Sequence, residues 1–374
     1  MKRVLYFVFQ EVHTRPPCVT EICMLKDSGI DVAVLTTGCS EPIRKLFRDK
    51  GIHCHTFQLA KHKNLLIQKA KNFLNYRKVL HRFFKTYWTD ESVLWVGTEQ
   101  TIIKTWPFLR KIHPTILNAL EFYEGDWYQK NMKKIAPRVD VLTACEPHRA
   151  QYMVDWWKLD RMPYILPNKP YEHPRKRYME GSTSELRNAI SAIQGKKTIM
   201  YQGSIVADRD LGLLAKALKQ ADSEYFLVLS GSAEEGSIEK LQALYDRTLY
   251  LGNLPAPAHL ELTSHADICV AYYKDNCINN RYCAPNKIYE YAGCGVPMLC
   301  NNIPGLTETV GKAGAAECVD FRNADEVIQA IEKIDANYEA YSHASTVFYD
   351  QTDNAATIQK IVEDAFARTK RKKR

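Results

Sequence analysis

The stretch that decides the fold runs from Cys283 to Val310 and reads CAPNKIYEYAGCGVPMLCNNIPGLTETV. Pro285 suits a first helical turn, Ile288, Tyr291 and Ala292 fall on one side of the helix that follows, and Gly293 and Gly295 end it. The next residues, Val296 to Cys300, are apolar without alternation, as expected of a strand covered on both faces of a parallel sheet. Glu290 follows Asn286 by four residues and Lys287 by three, so the three side chains share one side of the helix toward its N-terminal end. An anionic ligand bearing hydroxyls fits this set. Helix-start N–H groups and Lys287 meet a phosphate, and the Glu290 carboxylate accepts hydrogen bonds from a sugar.

The wider pattern is consistent with that reading. Val4–Phe9, Asp31–Leu35, Ile52–Phe57, Val93–Val96, Thr115–Ala119, Val139–Thr143 and Tyr164–Leu166 read as short buried strands, most of them separated by helical segments. After Leu166 comes PNKPYEHPRKRYMEGSTSE, where neither period persists. A second set follows at Thr198–Gln202, Tyr225–Leu229, Thr248–Leu251, Ile268–Tyr272, Val296–Cys300 and Ala316–Val319. The expected organisation is an α/β domain over 1–167, a hinge over 168–195, a second α/β domain over 196–336, and C-terminal helices with a basic tail over 337–374. Two doubly wound domains leave a ligand place at the carboxyl ends of their strands.

NKIYEYAGCGVP followed by IPGLTETV resembles the donor-site signature of GT-B-fold nucleotide-sugar glycosyltransferases, especially glycosyltransferase family 4. The resemblance implies two Rossmann-like domains with a cleft between them, an N-domain that takes the acceptor, a C-domain that takes a nucleoside diphosphate sugar, and final helices that cross back to the N-domain. It assigns Glu290 to the ribose hydroxyls, with Pro285 and Asn286 at the start of the same helix. Tyr282 stands where the family has a second glutamate that contacts the donor sugar. Gly203, Ser204 and Arg209 stand in the family's first diphosphate loop, with Ser204 in the place of an arginine and Arg209 in that of a lysine. Gly231 falls in the next strand-end loop, and Gly252, Asn253 and Leu254 in the one that holds the base. In the N-domain, His13 and Glu121 are the candidates for acceptor or donor phosphate, and Leu120 occupies the place of a usual histidine. Arg209, Lys287 and Glu290 are thus the expected catalytic set, for a transfer that retains anomeric configuration.

The resemblance also implies that cations and helix dipoles neutralise the leaving diphosphate, so no metal or other cofactor is expected. Asp208-Arg209-Asp210 spells a D-x-D metal pattern, but carboxylates near a helix start have an ordinary capping role. His53, His55 and His62 lack a further ligand and read as packed or surface histidines. The chain has no G-x-S-x-G, P-loop or H-E-x-x-H, and the G-x-G at Gly293 and Gly295 lies after a helix rather than after a strand. Hydrolase and dehydrogenase readings lose their main support. The alternatives to transfer are a sugar-nucleotide 2-epimerase on the same fold and a degenerate subunit that only binds.

Composition bounds the partners. No apolar run approaches the ~18 residues of a membrane span, the opening VLYFVF is shorter than a signal-peptide core, and eleven scattered cysteines without C-x-x-C read as reduced thiols. A cytosolic protein is expected. Residues 1–167 carry 26 Lys and Arg against 16 Asp and Glu, residues 168–367 carry 19 against 27, and 368–374 add six basic residues. Lys61–Trp88 has eight basic residues and no acidic one, with Leu66, Ala70, Phe73, Leu80, Phe84 and Tyr87 at helical spacing. The partners expected are a nucleotide-sugar, a glycan or lipid-linked acceptor and an anionic membrane surface, with no nucleic-acid motif present.

Overall fold

The structure, a computed structural model, describes residues 2–206, 209 and 211–372. The chain divides into two compact units, residues 1–171 with 353–374 and residues 172–352. Unit 1 contains β1 (Arg3–Glu11), α1 (Pro16–Asp27), β2 (Asp31–Gly38), α2 (Glu41–Asp49), β3 (His53–Thr56), α3 (Leu65–Tyr87), β4 (Ser92–Val96), α4 (Glu99–Leu109), β5 (Thr115–Ala119), α5 (Asp126–Ile135), β6 (Val141–Ala144), α6 (Pro147–Trp157) and β7 (Tyr164–Ile165). Unit 2 contains α7 (Ser184–Ile193), β8 (Thr198–Gln202), α8 (Gly212–Gln220), β9 (Phe226–Ser230), α9 (Ser237–Leu244), β10 (Thr248–Tyr250), α10 (His259–Thr263), β11 (Ile268–Ala271), α11 (Ile278–Arg281), α12 (Asn286–Gly293), β12 (Met298–Asn301), α13 (Pro304–Leu306), β13 (Ala316–Val319), α14 (Ala324–Ala336) and α15 (Tyr338–Gln351). The last helix, α16 (Asn354–Lys372), is part of unit 1.

Each sheet is parallel and doubly wound. Strand order is β3-β2-β1-β4-β5-β6-β7 in unit 1 and β10-β9-β8-β11-β12-β13 in unit 2. The order reverses beside β1 in the first and beside β8 in the second, which puts the ligand-competent crevices at the β1/β4 and β8/β11 carboxyl ends. Continuous burial of the strands explains their unbroken apolar runs. On β1, Val4, Tyr6 and Val8 pack with α1 and with Ile358, Ile361 and Val362 of α16, so the C-terminal helix completes the first core. In unit 2, Ile199 and Tyr201 join the α8 and α14 side, while Met200 joins α7 and α12 on the other.

The expected hinge over 168–195 is corrected: from Glu172 onward this segment belongs to unit 2. Arg177 Nη1 donates to Ala266 O at 2.8 Å, Tyr178 N donates to Ser264 O at 3.1 Å, and Leu186, Ala189 and Ile193 of α7 are buried in the second core. Proline and charge break the local period, and bonds to residues some ninety positions away supply the order instead. The C-terminal helices also separate, α15 staying with unit 2 and α16 with unit 1.

Candidate active site

The carboxyl end of β8 shows why two glycines are needed. Gly203 has φ +133°, and a Cβ there would lie 3.1 Å from Lys287 Nζ. Gly231, after β9, has φ +139°, and its Cβ would lie 2.0 Å from Gly203 O. Any side chain at 231 collides with backbone, so the two loops approach each other only as glycines. The space they leave is a pocket of about 360 Å³ lined by Gly203, Gly231, Asn253, Leu254, Asn286, Lys287 and Glu290, together with His259 and Tyr273. Larger hollows of about 460 and 520 Å³ exist elsewhere in the two units, but neither is lined by this combination of residues.

Helix α12 aims its first turn at the pocket. Its N-cap is Pro285, which gives no side-chain cap, so the first N–H groups are not occupied by one. Lys287 Nζ lies 4.0 Å from the centroid of the Tyr201 ring and 5.6 Å from that of Tyr273. The Arg209 guanidinium stacks on the same Tyr273 at 3.9 Å. Ring faces hold two cations close together with little competing negative charge. Burial, and next the Arg209 charge, bring the Lys287 ammonium down to a pKa of about 7, against a smaller upward pull from Glu290.

Glu290 lies three residues on, its Oε2 3.4 Å from His259 Nε2, with side-chain exposures of 18% and 11%. Burial pushes its carboxyl upward, but the His259 bond and the charges of His259 and Lys287 outweigh it, and the net shift is downward. His173 Nε2 reaches the Glu290 carbonyl at 2.9 Å, and a Cβ on Gly293 would lie 2.6 Å from that imidazole. The pocket therefore has cations and helix-start N–H groups without a side-chain cap, and an ionised carboxylate one turn along, the donors and acceptor needed for an anion that carries hydroxyls.

Burial brings His173 down to a pKa of about 4. As pH falls below 6.5 the unfolded chain binds this proton first, so stability is lost between roughly pH 6.5 and 4, by about 3 kcal/mol at 1.36 kcal/mol per unit. His173→Gln should lose about that much less than wild type when urea midpoints at pH 7 and pH 4 are compared. Equal losses would remove His173 as the source.

Of the residues singled out in the sequence, Gly203, Gly231, Asn253, Leu254, Asn286, Lys287 and Glu290 line one pocket, and Arg209 stands on its Tyr273 wall. Ser204 is exposed, Gly252 turns with φ +78°, Pro285 caps α12, and Tyr282 caps α11 with its N–H on Ile278 O; none of the four is among the lining residues. Asp208 and Asp210 lie outside the described residues. No group of three or more His, Cys, Asp or Glu is disposed to hold a metal among the described residues. His55 Nε2 meets Tyr87 OH at 2.5 Å and His62 Nδ1 accepts from Asn64 N at 3.0 Å.

In unit 1, His13 sits in a short turn after β1, 3.5 Å from Glu11, and Glu121 follows β5. Glu121 N donates to Glu99 Oε1 at 2.6 Å, and its carboxylate lies 3.6 Å from Arg149 Nη1. Buried Arg149 also donates to Leu120 O at 2.9 Å. Burial brings the Glu99 carboxyl up to about 8. Sequence reading missed Tyr201, Tyr273, His259, His173, Glu99 and Arg149. Only the first two carried a signal, as aromatics at or just after the ends of strands that feed the pocket.

Residues 196–337 match the family model described as Glycosyl transferases group 1. No curated protein sequence matches the chain. Among solved structures, a glycosyltransferase from Rickettsia africae ESF-5 has a TM-score of 0.71 at 13% identity, covering 98% of each chain. Anabaena Alr3699/HepE in complex with UDP and glucose has a TM-score of 0.69 at 14% identity, covering 97% of this chain and 99% of its own. WaaG, a glycosyltransferase involved in lipopolysaccharide biosynthesis, gives 0.65 at 12% identity, with 97% and 99% covered. These likenesses establish the GT-B fold. With the match over residues 196–337, they set a domain similar to Glycosyl transferases group 1 in unit 2 of a GT-B fold. No helix among the described residues is long and apolar enough to cross a membrane.

Proposed function

We propose that the protein transfers a sugar from a nucleoside diphosphate sugar to an acceptor hydroxyl, with retention of anomeric configuration. The observation that carries this is the pocket at the β8/β11 switch point, where Lys287 and Arg209 share Tyr273 and Glu290 stands one helical turn away. Glu290 accepts the ribose hydroxyls, the Gly252–Leu254 backbone meets the base, and the two cations take the diphosphate with the α12 N–H groups. The structures of HepE with UDP and with UDP-glucose, on the same fold, support uridine as the nucleoside. As the glycosidic bond breaks, negative charge grows on the departing diphosphate, where Lys287 and Arg209 stabilise it. A phosphate oxygen of the leaving group takes the acceptor proton, so positioning replaces a protein nucleophile. His13 and Glu121, at strand ends of unit 1, are on the acceptor side. The acceptor is a lipid-linked or membrane-proximal glycan of polysaccharide biosynthesis, used by a protein held reversibly on the cytosolic face of the membrane.

Labelled nucleotide-sugars incubated with the protein and a membrane lipid extract test the reaction. Transfer to lipid supports it, whereas epimerised donor, or binding without turnover, replaces it with one of the alternatives. Transfer should also survive chelation, because the cationic pair supplies the positive field. Activity abolished by chelator and restored by Mg²⁺ or Mn²⁺ would return the D-x-D residues to the site.

A further inference from the structure

Helix α3 divides into two parts with opposite surroundings. Its second half covers the sheet in the ordinary way, with Leu80 and Phe83 buried and the Tyr76 ring tilted against Phe9 near the end of β1, centroids 4.2 Å apart. The first half is apolar and exposed: Leu65 is 69%, Leu66 75% and Leu74 63% accessible, with Ile67 and Phe73 also exposed. At about 100° per residue, Phe73, Leu66, Ala70, Leu74 and Ile67 share one arc of roughly 120°, with Lys69 on one edge and Lys71 and Lys78 on the other. All eight basic residues from Lys61 to Lys85 are exposed, and the segment has no carboxylate to neutralise them. Exposed aliphatic side chains rimmed by lysines match an anionic lipid surface: the apolar arc enters the acyl boundary and the ammonium groups stay at headgroup level. A soluble acidic partner would satisfy the lysines and leave the leucines in water.

The helix is also held in place. Asn72 bonds both the N–H and the carbonyl of Ala60, at 2.7 and 3.3 Å, and Asn75 donates to Gln58 O at 2.8 Å, which ties the loop leading into α3 to the helix itself. Its direction follows from topology. The chain leaves the carboxyl end of β3 and returns to the amino end of β1, where Tyr87 O accepts from Arg3. The exposed half is therefore at the carboxyl-end side of the sheet, as are Tyr123 and Trp127 in the segment after β5, exposed by 41% and 66%. The C-terminal helix ends at the opposite side, where Arg368 bonds Asp140 O just before β6.

We propose that the first half of α3 is the bilayer-contacting surface of unit 1, with Leu66, Ile67 and Leu74 inserted among anionic lipids and the carboxyl ends of the strands turned toward the membrane. This rests on the membrane reading above and adds the surface and its orientation; the basic C-terminal tail is not the anchor.

Flotation of the full chain tests it, with vesicles of phosphatidylcholine alone and of phosphatidylcholine mixed with phosphatidylglycerol. The expected result is flotation with the anionic vesicles, a fall of at least about tenfold in the bound fraction for Leu66→Ser/Leu74→Ser, and near wild-type binding by a chain ending at Arg368. Circular dichroism melts check folding, and Lys69→Glu/Lys71→Glu, which leaves the leucines in place, should weaken binding likewise. Wild-type binding by both double variants overturns the surface, and so does loss of binding on tail removal alone. If wild type floats with neither vesicle, the membrane reading falls as well. A dimer that the leucine variant converts to monomer, without flotation, would assign the patch to a second copy of the chain and overturn the proposal.

Discussion

Lys287→Met should reduce transfer by about 10²–10³-fold in kcat, with a much smaller change in the affinity for donor. Methionine keeps most of the volume of the stem and removes the ammonium that lies over Tyr201, so loss of rate reports on charge stabilisation rather than on a collapsed pocket. The charge matters more in the transition state than in the ground state, because the diphosphate gains negative charge as the sugar departs. A second readout follows from the pKa of about 7 that burial and Arg209 give Lys287. A bound diphosphate favours the ammonium form, so at pH 8 nucleotide binding should draw a proton from solution, visible as buffer-dependent heat in calorimetry. Lys287→Met should abolish that uptake. A variant with unchanged kcat, or one with the same proton uptake as wild type, would remove Lys287 from the role.

Glu290→Ala and Arg209→Ala should each weaken nucleoside diphosphate binding by about 1.5–3 kcal/mol, roughly ten- to 150-fold, the range for a lost hydrogen bond to a charged group. The two losses should differ in kind. Inorganic pyrophosphate carries the phosphate contacts without ribose, so its competition against donor should weaken in Arg209→Ala and hold in Glu290→Ala. Glu290 also faces His259, and removing its carboxylate leaves that buried imidazole without its Nε2 partner. A Glu290→Gln variant, which keeps an acceptor oxygen, should recover part of the affinity. Unchanged calorimetric affinity in both alanine variants would overturn the assignment of this pocket to the nucleotide.

The sequence by itself determined the sheets, because burial on both faces writes a continuous apolar run wherever a parallel strand lies. Each of the strand segments expected is a strand, with ends displaced by a few residues at most. It determined one half of the candidate pocket too, since Asn286, Lys287 and Glu290 are neighbours on one helix and their shared side follows from 3.6-residue periodicity. Tertiary structure alone decided the other half. His259 and His173 reach Glu290 from α10 and from the supposed hinge, 117 positions away in the second case, and no local period records such a pairing. Likewise the Tyr273 ring that gathers Arg209 and Lys287 lies just beyond β11, and its neighbours are set by the strand order. The same distinction governs α3, whose apolar pattern covers both halves of the helix. The buried face carries Asn72, Leu80 and Phe83, and Leu66 and Leu74, about 100° and 180° round the helix from Phe83, face solvent. Periodicity specifies which side of a helix is apolar, and tertiary packing specifies whether anything is there to cover it.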